Sequence, residues 1–505
     1  MKKSIPRVLL ILFIAFAPHA RGTLISIHPT DSYAKIEAAK AGDEVVIDPG
    51  TYAFRVYFRA WGTATNPIVI RALNPTNPPV WDFGNTLLDN APGSYTAGDK
   101  ARGAWQFSGA SNYRISGIVF RNCRNADQNC AAIRYYNTST NLYVKDCVFV
   151  NNDNGMTGGT QGSDMTIEFC EFATNGNVNA SAATHNLYIY GGALAMRYCF
   201  VHDSVQAENF HIRCRNSTLE YNWFARAKNY EGDLMTDDDF SGTGPFGQTM
   251  TLRGNVFVQS ATQSNSGQVV AIYNDTGLTN LTLAVRLLYN TFVGNGGHAA
   301  FVHLSNADGT QMTAEESNNI IFGTTVPVLI ETSARATAAG VNNWMQTNAP
   351  TGPFTGSIRT ASPGFKNPAA QDYTLAAGSL CIGAAKTTIY GLPGKEYFRN
   401  EIANRMWRPR AAARDLGAFE STSTGTGVGA SDPMPWPRLG VAKFSSAILL
   451  GWPLFAGDFQ LQSSPAISPT AWADFSTALV TNADGLSASI APTSAMRFYR
   501  LRQQQ

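Results

Sequence analysis

The chain has 505 residues, a formal net charge of +2, and only 15% charged residues alongside 45 glycines. That length allows two or three domains, or one long solenoid that uses most of it. Four cations, Lys2, Lys3, Arg7 and Arg21, lie in the first 22 residues; without them the balance falls from +2 to −2, and no basic run remains, which excludes nucleic acid as the main partner.

Residues 1–22 read as a signal peptide: Lys2, Lys3 and Arg7 precede the apolar run VLLILFIAFA, and Ala-Arg-Gly offers small residues before Thr23. The run is too short for a comfortable membrane span, and no later segment is suited to one. The expectation is an exported monomer, secreted, periplasmic or on the cell surface, with no membrane span. Next, DSYAKIEAAKAG predicts a short helix with Asp31 as N-cap and Gly42 beyond its end. DEVVIDPGTY and NPIVIRAL predict strands. A helix here would cover the apolar end of a solenoid.

From about Tyr113 to Phe322 one unit recurs, clearest in NLYVKDCVFVNN. One column holds Ile118, Cys147, Cys170, Cys199, Asn222, Asn255, Asn290 and Asn319, at spacings of 29, 23, 29, 23, 33, 35 and 29 residues. Two places later stand Phe120, Phe149, Phe172, Val201, Phe224, Phe257, Phe292 and Ile321. Three places earlier stand Ile115, Val144, Ile167, Met196, Leu219, Leu252 and Leu287, until Glu316 breaks the series. Apolar residues alternate within each unit, which is a strand pattern. A fixed period of this size means stacked units burying one face on their neighbours. The fold class expected is all-β, a right-handed parallel β-helix solenoid. Small thiols and stacked Asn side chains suit its buried turns, so these residues read as structural. Cys123 and Cys130, flanking a short polar loop, are the candidate disulfide.

A second strand precedes each column position, in GAWQFSG, AAIRYYNTS, HNLYIYGG, ENFHIRCRNS, GQVVAIYNDTG and AAFVHLSNADG. Alternation turns Phe210, Ile212 and Cys214 inward and His211, Arg213 and Arg215 outward. Stacking predicts one outer column of Arg134, Tyr188, His211 and His303, and a neighbouring one of Tyr136, Tyr190, Arg213 and Tyr273. After Asn222 an insertion, 226–249, holds Lys228, Tyr230, Glu231, Asp233, Asp237, Asp238 and Asp239. It reads as a solvated acidic loop, as a Ca²⁺ site, or as a pair of acid/base carboxylates.

AGDEVVIDPGTY followed by NPIVIRA resembles the opening of secreted bacterial right-handed parallel β-helix proteins of the pectate lyase-like superfamily, including the chondroitinase B and alginate lyase group. The resemblance covers most of residues 25–420. It implies the fold and, for that group, a Lys and an Arg on the helix face with Ca²⁺ against the uronate. This chain has His211-Ile-Arg213-Cys-Arg215 in place of the Lys-x-Arg arrangement.

ASPGFKNPAAQDYTLAAGSLCIGAA and RPRAAARDLGAFE resemble the closing segment of such proteins, with Asp415, Gly417 and Glu420 as turn and terminal-strand residues. The domain boundaries expected are 23–420 for the β-helix, 421–433 for a Gly/Ser/Thr linker, and 434–505 for a small β-sandwich-like module. That module resembles those appended to exported proteins of environmental bacteria. Its Trp436, Trp452 and Trp472 read as core residues more readily than as a sugar-stacking surface.

A long groove of Tyr, Arg, His and acidic groups suits an extracellular polysaccharide. β-Elimination of a uronate requires neutralisation of the carboxylate and a base for the C5 proton. The leading reading makes Arg213 the neutraliser, with Ca²⁺ at Asp233, Asp237 or Asp238. It makes His211 the base and Tyr188 or Lys228 the group assisting the leaving oxygen, with Arg134, Tyr136, Tyr190, Arg215, Tyr273 and His303 binding substrate. The alternatives are a hydrolase pairing Asp233 with Asp237 or Asp238, and a non-catalytic glycan-binding or adhesion solenoid.

Overall fold

In the computed structural model, the described residues are 22–84, 86–89, 93, 102–136, 138–159, 163–237, 245–260, 268–274, 280–294, 300–305, 310–324, 326–330, 335–350, 352–387, 391–398, 405–411, 414–430 and parts of 439–503. The expected signal peptide, up to residue 21, lies outside them. Among the described residues no helix is long and apolar enough to cross a membrane.

Every strand pairing from Leu24 to Thr360 is parallel, and pairing joins each coil to the next. The chain is therefore a parallel β-helix with three rows of strands. One row runs through Ile115, Val144, Ile167, Met196, Leu219, Leu252 and Leu287, each in register with the next. A second runs through Phe120, Phe149, Phe172, Val201, Phe224, Phe257, Phe292 and Ile321. Both predicted columns hold over their whole length. Their side chains fill the tube, and Phe120, Phe149 and Phe172 stack at centroid distances of 5.3 and 4.5 Å. Each buried ring contributes about 1.5–3 kcal/mol.

The turn column is built as its chemistry demands. Asn222 Nδ2 donates to Asn255 Oδ1 (3.0 Å), Asn255 to Asn290 (3.1 Å), Asn290 to Asn319 (3.1 Å), and Asn319 to Asn343 (3.1 Å). Each Oδ1 also accepts the backbone N–H of the preceding ladder residue. The three stacked cysteines instead point their thiols at local carbonyls, for example Cys199 Sγ to Arg197 O (3.2 Å). All seven cysteines are free and buried. The candidate Cys123–Cys130 disulfide is thus not formed; these two thiols face Arg121 O and Ala131 O. A second ladder, unforeseen, runs Asn152–Asn175–Asn186–Asn209 and ends on the carboxyl of Glu231.

The N-terminal helix is shorter than predicted, Tyr33–Glu37, with Ser32 at its N-cap. Asp31 is drawn off to the His28 N–H and the Lys35 ammonium. Beyond Thr360 the chain folds back along the outside of the coils. Tyr373, Tyr397, Ala418 and Phe419 pack on Trp223 and Val256, and Trp407 packs on Phe169, Tyr198 and Tyr221. Gly417 N donates to Asn318 O, and Glu420 accepts from the Arg410 guanidinium, so Asp415–Glu420 is a buried turn. Within the stretch expected to be a linker, Val428 hydrogen-bonds Trp407 in both directions. Among the described residues of 439–503 there are a four-stranded and a three-stranded antiparallel sheet, with Leu450, Leu461, Ala488 and Ile490 buried together. Trp472 there is half-buried beneath Arg500. Trp436 and the side chain of Trp452 lie outside the described residues.

Candidate functional site

The third row of strands carries the predicted outer face. Register runs Arg134–Thr157–Tyr188–His211–Asp233–Ala271–His303, and beside it Tyr190–Arg213 and Met235–Tyr273. The first outer column is therefore the one expected, with two added strands, and in the second Tyr190 and Arg213 are in register. Asn154–Gly158 and Gly232–Met235 are strands of the stack. The stretch 226–249 is accordingly no simple insertion, since it supplies that coil's strand of the outer row. Gly232 opens that strand because a Cβ there would lie 1.9 Å from the Phe210 ring.

At this level the tube loses one corner. Leu187–Arg197 and Phe210–Glu220 each run 11 residues without a break, joining two rows into one sheet. Gly192 permits the passage: a Cβ would sit 1.8 Å from Ser163 O. The outward side chains of these two strands thus stand on one continuous, rigid surface.

Several ionisable side chains converge there. His185 Nδ1 is 3.0 Å from Glu208 Oε2, off the axis of a hydrogen bond. His211 Nδ1 is 3.3 Å from Asp233 Oδ2, and its Nε2 accepts the Nε–H of Arg213 at 2.9 Å. The two imidazole centroids are 4.8 Å apart, and the Tyr188 ring lies 4.5 Å from that of His211 and 5.5 Å from that of His185. Tyr273 donates to Asp233 (3.5 Å), and Asn229 donates to Glu208.

Although these groups face outward from the sheet, they are not on the molecular surface. His211 is 7% exposed and Arg213 4%, against the solvent-facing positions expected from alternation. Burial, together with the nearby His185 and Arg213, lowers the His211 pKa well below its ordinary value, so its ring is neutral. Burial and the neighbouring Glu208 push Asp233 up. Glu208 is held low because His185 and Asn229 outweigh its own burial.

Arg213 is committed internally, to His211, Thr236 O and Met235 Sδ. The accessible guanidinium is Arg215, 34% exposed, with Nε 3.3 Å from the buried Asp237. Tyr188, Tyr190 and Tyr273 are half-buried at the surface of the cluster. Arg134, stacked on Tyr136 (5.3 Å), lies two coils before Tyr188, about 10 Å away, and His303 lies three coils after His211, bonded to Gln268. Lys228 is exposed and is anchored through its backbone N–H to Ser204.

The two described carboxylates of the proposed Ca²⁺ site or acid/base pair do not converge. Asp233 faces His211 and Tyr273, whereas Asp237 faces Arg215. Asp238 lies outside the described residues. Ca²⁺ requires roughly six to eight oxygens around one point, so Asp233 and Asp237 do not fit it. The metal-type ligand atoms that converge among the described residues belong to His185, Glu208 and His211, all within 4.8 Å of one another. Sequence reasoning missed His185 and Glu208. Each stands two residues before a register partner, Leu187 and Phe210, but on the corner, where Asn186 and Asn209 turn into the ladder and period-two alternation ends.

No family model and no curated protein matches the chain. Among solved structures, the chain is similar to pectate lyase Pel9A at 13% identity and a TM-score of 0.52, over 79% of this chain and 96% of that one. An alginate lyase from Paenibacillus sp. str. FPU-7 gives 16% identity, 63% and 99% coverage, and a TM-score of 0.44. A rhamnogalacturonan lyase gives 14%, 64% and 87%, and 0.44. The first of these likenesses establishes a shared fold, the parallel β-helix.

Proposed function

We propose that this β-helix protein is a polysaccharide lyase that cleaves a uronate-containing polymer by β-elimination on the face built by Leu187–Arg197, Phe210–Glu220 and Gly232–Met235. One observation carries the reading: half-buried Tyr188 lies over a buried histidine–carboxylate cluster, its ring 4.5 Å from that of His211, and an accessible arginine, Arg215, follows on the same strand as His211, beside Asp237.

Tyrosine faces suit sugar rings, and a guanidinium fork suits a carboxylate. Arg215 is the fork a uronate can reach, and it takes the neutralising role first assigned to Arg213. Carboxylate neutralisation acidifies the C5 proton. Tyr188, once its phenolic proton has passed to solvent, removes the C5 proton; the C–H electron pair forms the C4–C5 double bond, and the C4–O4 bond breaks. The leaving oxygen takes up the proton that Tyr188 carries. His211, whose Nε2 lone pair is occupied by Arg213, orients and polarises Tyr188 from below and does not touch the sugar. Arg134, Tyr136, Tyr190, Tyr273 and His303 extend the same face as sugar-binding positions, and an exported location fits such a substrate.

The test is a panel of uronate and neutral polysaccharides, followed by the ultraviolet absorbance of unsaturated ends and by reducing ends. Absorbance that grows on a uronate polymer and is lost in Tyr188→Phe is the expected result. Reducing ends without absorbance would mean hydrolysis, and binding without turnover would mean a glycan-binding solenoid; either outcome refutes the proposal.

A further inference from the structure

We propose that His185, Glu208 and His211 bind one first-row divalent cation of borderline softness, with Zn²⁺ as the best-fitting ion. This does not rest on the β-elimination reading, because cation binding is measured without substrate.

The donor set points to this class. Two imidazole nitrogens and one carboxylate oxygen suit Zn²⁺ and its first-row neighbours, whereas Ca²⁺ and Mg²⁺ require oxygen shells. The spacing of two of the ligands fits as well, and the third closes onto the ion by a side-chain rotation. Ligands 2.0–2.1 Å from a tetrahedral Zn²⁺ stand about 3.3 Å from each other. His185 Nδ1 and Glu208 Oε2 are 3.0 Å apart, and one ligand atom from each of the three residues falls within a 4.8 Å span.

An independent observation is the state of the buried polar atoms. His185 is 2% exposed, yet its Nδ1 makes no hydrogen bond; it faces Glu208 out of line, as two ligands of a common ion would. Beside it Asp233, 1% exposed, has an unbonded Oδ1. Buried polar atoms without partners are rare, and an unbound ion is one recognised reason for them.

The scaffold is rigid where a site needs it. His185 and Glu208 lead into strands paired in register, and Asn186 and Asn209 beside them are tied by the ladder. Glu208 is oriented by Asn229, and His211 by Asp233. Such outer contacts tune a metal ligand. Three protein ligands leave a position open for water or substrate, the pattern of a reactive site more than of a structural one. The Arg213 guanidinium competes with a cation for the His211 ring, so its removal should strengthen binding.

The experiment uses the untagged full chain, stripped with chelator and titrated with Zn²⁺ alone by calorimetry, with Ca²⁺ in excess as competitor. The expected result is one Zn²⁺ per chain, undisturbed by Ca²⁺. Affinity should fall at least tenfold in His185→Gln and in Glu208→Gln, and rise in Arg213→Met. Co²⁺ loaded into the wild-type chain should show the visible absorption of a low-coordinate nitrogen-ligated site, which decides the matter even if a variant fails to fold. Absence of stoichiometric Zn²⁺ binding by the wild type, or unchanged affinity in folded His185→Gln, overturns the proposal.

Discussion

The Nε–H of Arg213 donates to Nε2 of His211 across 2.9 Å, between residues two apart on one strand. The bond fixes the imidazole tautomer, because an acceptor Nε2 places the ring proton on Nδ1, 3.3 Å from Asp233. It also removes Arg213 from any contact with substrate.

The two arginines of this strand should therefore fail differently. Arg213→Met should lower kcat by about 10²-fold or more with KM little changed, since a buried positioning contact is lost. Arg215→Met should raise KM for a uronate polymer, since an accessible carboxylate partner is lost. Steady-state kinetics on both variants check the split; the same pattern in both would remove the distinction.

The asparagine ladder should be most sensitive in its middle. Asn255 accepts the N–H and Nδ2 of Asn222 and donates to Asn290 and Leu219 O. Asn255→Cys leaves several buried groups unpaired and should cost about 2–4 kcal/mol. Asn222→Cys, next to Cys199, should cost less, because that end of the ladder already meets a thiol. Denaturant unfolding of the two variants gives the order.

Glu231 terminates the second ladder, accepting from Asn209 and Ala227. Burial raises its pKa from near 4.5 to about 8. Between those values the folded state holds a proton that the unfolded state has released, so stability should fall as pH rises from about 4.5 through about 8. The loss is on the order of a few kcal/mol. Glu231→Gln should flatten this slope, as measured by melting temperature against pH.

Glu316 occupies the apolar column beside Leu287, fully buried, with both carboxyl oxygens unbonded. Burial raises its pKa well above the usual carboxylate range. Its protonation favours the fold at low pH, and the benefit disappears as pH rises. Glu316→Leu should stabilise the protein by about 1–3 kcal/mol at neutral pH. A lower melting point in that variant would show that the carboxyl has a partner beyond the core.

The stack of coils was legible because its signal repeats. Phe149 and Asn255 recur as columns, since each coil must bury the same face against its neighbours, and the outer alignment of Tyr188 with His211 followed from parity along the strands. Two strands of the outer row were missed. Asn154–Gly158 and Gly232–Met235 are short and Gly-containing, and they owe their strand conformation to the neighbours they pair with.

What the amino-acid order determined by itself is periodic: which residues face the tube, which face out, and which share a column. What only the tertiary structure decided is aperiodic. Alternation distinguishes the two sides of a strand, but not whether the outer side is covered, so the burial of Arg213 and the exposure of Arg215 could not be read from it. The corner residues His185 and Glu208 escaped for the same reason: where the chain turns, the period-two rule ends, and only the stacking of one corner on the next brings His185, Glu208 and His211 to one point.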